Sequence, residues 1–136
     1  MSISGRCSCG AVTYECSATP VVQGNCHCSE CQRMTGSAYS ATLYVPESSV
    51  KINGDVKYFT RPGGSGNLVE RGFCPVCGSQ LFGKPSLVPG LIGLRAGSLD
   101  DPSVYRPQVD IFASRAAPWD HMDPSIAKFA ESPPQS

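Results

Sequence analysis

The sequence predicts one mostly-β domain, stapled by bound metal and carrying short helical turns. Its apolar runs are short, alternate in the strand period, and stop at glycine, proline or Asn-Gly pairs. Such punctuation is dense, with 14 glycines and 12 prolines in 136 residues. Seven of the eight cysteines fall into three tight groups, Cys7/Cys9, Cys26/Cys28/Cys31 and Cys74/Cys77. At 40% hydrophobic residues the core is lean, and a chain this long buries about two thirds of its unfolded surface as a single domain. We place that domain at residues 1–131 and a frayed Pro-rich tail at 132–136.

Taken in order, Arg6-Cys7-Ser8-Cys9-Gly10 reads as a tight turn presenting two thiols, and residues 11–16 as an alternating strand. Cys16, at the end of that strand, reads as a small buried residue. Residues 21–25 lead into Cys26-His27-Cys28-Ser29-Glu30-Cys31. From Ser29 to Met34 one or two helical turns are expected, stopped by Gly36. A strand over 40–45 ends at Pro46. Residues 50–52 and 56–59 flank Asn53-Gly54, which predicts a hairpin.

Residues 61–67, Arg-Pro-Gly-Gly-Ser-Gly-Asn, form a flexible loop with the composition of a mobile lid. No Gly-Lys-Ser/Thr follows, so it is not a phosphate-binding loop. A strand over 68–73 runs into Cys74-Pro75-Val76-Cys77-Gly78, and 80–82 leave it. Further strands are expected over 91–99 and 109–113. Asp123-Pro124-Ser125 resembles a helix start, so a short helix is expected through about Phe129.

Several function classes are disfavoured. The formal net charge is zero, so no basic excess invites nucleic acid. No apolar run approaches 18 residues, and the start Met-Ser-Ile-Ser-Gly-Arg-Cys lacks the apolar core of an export signal. The expected setting is the cytoplasm, where thiols stay reduced and bind metal instead of pairing as disulfides.

Three thiols within six residues suit neither core packing nor the Cα separation of about 5.5 Å that a disulfide requires. They suit a soft ion that gathers thiolates about 2.3 Å from one centre. Cys74-Pro-Val-Cys77-Gly is a zinc knuckle that needs two further ligands, and Cys7/Cys9 can supply them. Cys26, Cys28 and Cys31 then remain as three ligands with a vacant position. A closed set of four is structural, whereas an open set of three is where chemistry happens. This four-plus-three division is the economical one; spacing alone leaves others open.

Cys-Ser-Cys-Gly-Ala-Val near the start, Cys-His-Cys-Ser-Glu-Cys-Gln-Arg with Gly36-Ser37 behind it, and Arg71-Gly-Phe-Cys-Pro-Val-Cys-Gly-Ser-Gln-Leu together resemble the glutathione-dependent formaldehyde-activating enzyme family. That family also includes centromere protein V, and the resemblance runs from Gly5 to about Trp119. It implies a β-tent fold and a structural zinc on Cys7, Cys9, Cys74 and Cys77. It implies a second, catalytic zinc on Cys26, Cys28 and Cys31. The activity implied is a carbon–sulfur lyase reaction joining a small thiol, glutathione, to a small aldehyde, formaldehyde. A zinc with three thiolates is a weak Lewis acid but holds an incoming thiol as thiolate, which agrees with that chemistry.

Arginines make up seven of the eleven basic residues, and Arg33 and Arg71 are the candidates for substrate carboxylates. Ion pairs to Glu30 or Glu70 would explain them equally. Glu30 is either a proton shuttle or a solvated first-turn acid. His27, between two ligands, points elsewhere and is expected to be exposed or to sit behind the ligands. Trp119 walls the pocket or joins the core. A zinc-deaminase reading would use Cys28-Ser-Glu30 and Cys74-Pro-Val-Cys77, but it misplaces the proline and leaves four cysteines unused. Iron–sulfur spacing is absent. The remaining alternative is a non-catalytic protein-binding module, its second site closed by Cys16, His27 or a partner.

Overall fold

The protein, here as a computed structural model, is described over residues 2–132. The expected tail lies outside that range from residue 133 onward. Among the described residues eleven strands and one α-helix follow in chain order. They are β1 (Ile3–Arg6), β2 (Thr13–Cys16), β3 (Val22–Cys26), α1 (Ser29–Thr35), β4 (Ser40–Pro46), β5 (Val50–Asn53), β6 (Lys57–Pro62), β7 (Leu68–Phe73), β8 (Gln80–Pro85), β9 (Leu91–Arg95), β10 (Val109–Ile111) and β11 (Ala127–Lys128). The mostly-β expectation holds. Among the described residues no helix is long and apolar enough to cross a membrane.

Two sheets form. The smaller runs β1-β2-β5, and the larger runs β11-β10-β3-β4-β9-β8-β7-β6. Cross-strand partners share a face and alternate residues share a face, so the registers divide the large sheet into two surfaces. Leu43 pairs with Leu94, Val45 with Ile92, and Phe82 with Leu94. All five are completely buried and pack with Ile3, Val12 and Tyr14 from the small-sheet side. The Tyr14 and Phe82 rings meet edge-on at 5.3 Å. This apolar face is the core.

The opposite surface is polar. Cys26 pairs with Ser40, Thr42 with Arg95, and Tyr44 with Gly93. Gly93 pairs in turn with Gly83, and Gly83 with Arg71. One sheet therefore turns its aliphatic side to the core and presents thiol, hydroxyl and guanidinium groups on the other.

Three expectations are corrected. Asn53-Gly54 makes no hairpin, because β5 pairs with β2 in the small sheet while β6 pairs with β7 in the large one. Gly54, at φ 102°, turns the chain from one sheet to the other, and a Cβ there would collide with the Ala11 carbonyl. Residues 123–129 form no helix. Asp123 does accept from Ser125 N at 2.9 Å, but the chain then runs parallel to β10 as β11. The predicted strand over 91–99 ends at Arg95, where a 3-10 turn takes over.

Leu94 lies at the centre of the core face, so Leu94→Ala is expected to cost about 2–5 kcal/mol. Denaturant titration should show a lower midpoint with an unchanged slope.

Candidate metal centre

The turn after β1 is closed by Cys7 N donating to Val12 O at 3.0 Å and Gly10 N to Cys7 O at 3.2 Å. The turn after β7 is closed by Gly78 N donating to Cys74 O at 2.8 Å and Cys74 N to Ser79 O at 3.0 Å. Each turn aims two thiols at the other. The sulfurs of Cys7, Cys9, Cys74 and Cys77 lie within 4.8 Å of one another, and all four cysteines are free thiols.

The surroundings fit a cation held by thiolates. Val12 N points at Cys7 Sγ at 3.3 Å and Val76 N at Cys74 Sγ at 3.4 Å, while Ser79 Oγ stands 3.1 Å from Cys77 Sγ. The Ser79 hydroxyl, helped by the Cys9 and Ser79 amides, pulls Cys77 down to about 5. Cys9 goes the other way. The Ala11 amide favours its thiolate, but burial and the neighbouring sulfurs outweigh that and push it up to about 11. Without a cation the four cannot ionise together.

The second cluster is built differently. Cys26 ends β3, Cys28 is the N-cap of α1, and Cys31 lies in its first turns. Cys28 Sγ accepts from Cys31 N at 3.3 Å, the bond a serine or aspartate cap would make. Gly36 ends the helix at φ 66°, as expected. The three sulfurs lie within 4.8 Å of one another. Cys26 and Cys31 drive Cys28 down to about 2, and Cys28 in turn pushes Cys26 up. Ser40 Oγ donates to Cys31 Sγ at 3.2 Å. The donor set is again soft, and among the described residues no fourth histidine, cysteine or carboxylate joins it.

His27 is fully buried, not exposed, and both its ring nitrogens face carboxylates. Its Nε2 meets Asp110 Oδ1 at 2.8 Å and its Nδ1 lies 3.2 Å from Asp120 Oδ2. Asn25 Nδ2 and Lys128 Nζ also donate to Asp110, at 3.1 and 2.8 Å. Gln32 Nε2 ties the His27 carbonyl to that of Arg115, at 2.8 and 2.9 Å. The Cys-His-Cys segment is thus pegged to β10. Sequence reasoning missed Asp110, although a lone acid between apolar residues of a short strand is a detectable signal.

The glycine loop lies on the three-cysteine cluster. A Cβ on Gly64 would sit 2.7 Å from Cys28 Cβ, 3.1 Å from its sulfur and 3.2 Å from the Phe112 ring. Arg61 Nε donates to Glu30 Oε1 at 3.1 Å, so the acid of α1 pairs with the β6–β7 hairpin instead of with Arg33. Arg33 is exposed and shares a shallow cleft of about 330 Å³ with Ser29, Gln32 and Trp119. Trp119 is 65% exposed and is not a core residue. Arg71 is buried on the polar face of β7. Cys16 is buried as expected, but beside Ser49 Oγ and Ala18 O, so neither it nor His27 completes the triad. A larger cleft of about 980 Å³ is lined by Arg6, Tyr39, Ser40, Arg95, Ser98 and Asp120, among others.

With this geometry in view, the sequence matches the family described as glutathione-dependent formaldehyde-activating enzyme over residues 2–115. A crystal structure of a Rhodobacter sphaeroides protein matches with a TM-score of 0.57 at 20% identity, covering 74% of this chain and 92% of that one. At that identity the likeness speaks for the fold alone.

Burial raises the Asp110 carboxyl, but its bonds to His27, Lys128 and Asn25 outweigh that and hold it below the usual carboxylate range. A depressed folded value gives stability that is present above the unfolded value of about 3.9 and lost as pH falls through the folded one. Asp110→Asn should therefore cost about 3 kcal/mol near neutrality, measured by denaturation. The gap to the unaltered protein should narrow as pH falls below about 4 and close only below the depressed folded value.

Proposed function

Because the chain belongs to the glutathione-dependent formaldehyde-activating enzyme family, we propose that it is a zinc-dependent carbon–sulfur lyase. It joins a small thiol of the glutathione type to formaldehyde or another small aldehyde, or runs the reverse, in the cytoplasm. The observation that carries this reading is the contrast between the clusters, four sulfurs together in one and three with no fourth protein donor in the other. Cys7, Cys9, Cys74 and Cys77 hold the structural zinc. Cys26, Cys28 and Cys31 hold the catalytic one. Bound there, zinc would keep an incoming thiol as thiolate at neutral pH, below its free value of about 8.5.

The chain's own groups do the rest. Addition breaks the thiol's S–H bond, forms one carbon–sulfur bond, moves the carbonyl π pair onto oxygen, and delivers the thiol's proton to that oxygen. Glu30, paired with Arg61 at the rim, is the group that carries that proton in or out. The Ser40 hydroxyl, donating to Cys31, fixes that sulfur in place. The loop around Gly64 covers Cys28 and keeps water from its sulfur. Arg33 and Arg71 take the carboxylates of the substrate, Arg33 from the outer cleft and Arg71 from within.

The same covering by Gly64 is what favours the alternative, a non-catalytic binding module with both metal sites structural. Metal analysis separates the two. The lyase reading expects about two zincs per chain, one removed by a mild chelator and protected by glutathione. Two ions that both resist the chelator and ignore thiols would establish the module. Cys28→Ser should lower the rate of exchange between formaldehyde and its thiol adduct by about 100-fold or more, with the fold retained by circular dichroism. Cys74→Ser should unfold the chain instead.

A further inference from the structure

The polar face of the large sheet carries two guanidinium groups that lack acidic partners. Arg71 is 2% exposed, and its Nη1 is buried without a hydrogen-bond partner. Arg95 donates from Nη1 to Thr42 Oγ1 at 2.8 Å, but its Nε is likewise buried and unpartnered. The ion pairs among the described residues include neither of them. A buried charge without a partner costs several kcal/mol, so the buried Arg71, with the half-buried Arg95 on the same face, calls for an anion.

The backbone under them is cut away. Gly83 is the cross-strand partner of Arg71, and a Cβ on Gly83 would lie 2.9 Å from Arg95 Nη2. Gly93 stands next in the same row, and a Cβ there would meet Thr42 and the Tyr44 ring. Both glycines let the guanidinium and phenol groups lie flat across the sheet. Strand β4 places this floor beside the thiols. Ser40, Thr42 and Tyr44 alternate along that face of β4: Ser40 pairs with Cys26 and donates to Cys31, and Thr42 accepts from Arg95 at 2.8 Å. The seat is reached from its Arg95 side, because Arg95 and the Ser40 that touches Cys31 line the same 980 Å³ cleft.

We propose that Arg71 and Arg95 form a carboxylate seat next to the three-cysteine cluster, so that the substrate carries a carboxylate within a few bonds of the reacting carbon. The ligand class is a short thiol acid or a 2-oxo acid aldehyde. Both present the same group, and arginine takes it in a planar fork. A bare one-carbon aldehyde with an uncharged thiol leaves the seat empty. The proposal rests on the lyase reading for the thiol half of the site and on the arginines for the anion half.

Calorimetric titration of the zinc-loaded protein separates the halves, using propionate, 3-mercaptopropionate and 2-mercaptoethanol. The seat predicts that propionate binds, and that 3-mercaptopropionate binds about tenfold or more tightly than 2-mercaptoethanol. Arg95→Gln should erase both effects and Arg95→Lys should restore part of them. Arg71→Gln should act like Arg95→Gln, and if that variant fails to fold the Arg95 pair decides alone. Equal affinity for the two thiols with no propionate binding overturns the seat and leaves the arginines as counter-charges to the cluster. Propionate binding with no gain from the thiol keeps the seat and overturns the lyase reading. Rates then identify the source of the carboxylate. Glyoxylate outpacing acetaldehyde with 2-mercaptoethanol assigns it to the aldehyde, and 3-mercaptopropionate outpacing 2-mercaptoethanol with formaldehyde assigns it to the thiol. No preference in either pairing counts against the proposal.

Discussion

Thiolates do not gather without a cation. Two unit charges 4 Å apart repel by about 4 kcal/mol at the effective dielectric of a protein surface. Here four sulfurs lie within 4.8 Å of one another, with backbone amides aimed at two of them. An ion at their centre would turn that repulsion into attraction. Two of the sulfurs follow β1 of the small sheet and two follow β7 of the large one, so such an ion would tie the two sheets together. The lean apolar core between the sheets then holds a geometry already set at one end.

That joint leaves the large sheet free to be asymmetric. Its core face is aliphatic and aromatic, while its other face presents Cys26, Ser40, Arg95 and Arg71 in adjoining registers. The cysteine triad is fixed by its own supports. A cysteine caps the helix, a serine hydroxyl meets one sulfur, and the His27–Asp110 pair pegs the segment from behind. Each support restrains a sulfur without adding a fourth ligand. The result is a preorganised set of three soft donors with no fourth among the described residues.

What was legible in the sequence was local. Tight Cys spacing, the Gly36 stop after Ser29, and the knuckle Cys74-Pro-Val-Cys77-Gly each act over a few residues, so the chain itself declares them. Asn53-Gly54 is just as local, yet it was misread. The turn chemistry was right, but β5 found its partner in β2, nearly forty residues back. His27 and Asp110 are 83 residues apart, and parallel pairing of β10 with β3 brings them together. Nothing short-range encodes that pairing. Arg95 escaped notice for the same reason, since its meaning comes from Gly83 and Thr42 on other strands.

The division into one closed and one open sulfur site is the central claim, and X-ray absorption at the zinc edge measures it directly. Two zincs sharing seven cysteine sulfurs should average about 3.5 sulfurs each, all near 2.3 Å. Adding a thiol should raise that average to about 4. An average of four sulfur or nitrogen protein ligands before any thiol is added, unchanged afterwards, would contradict the account.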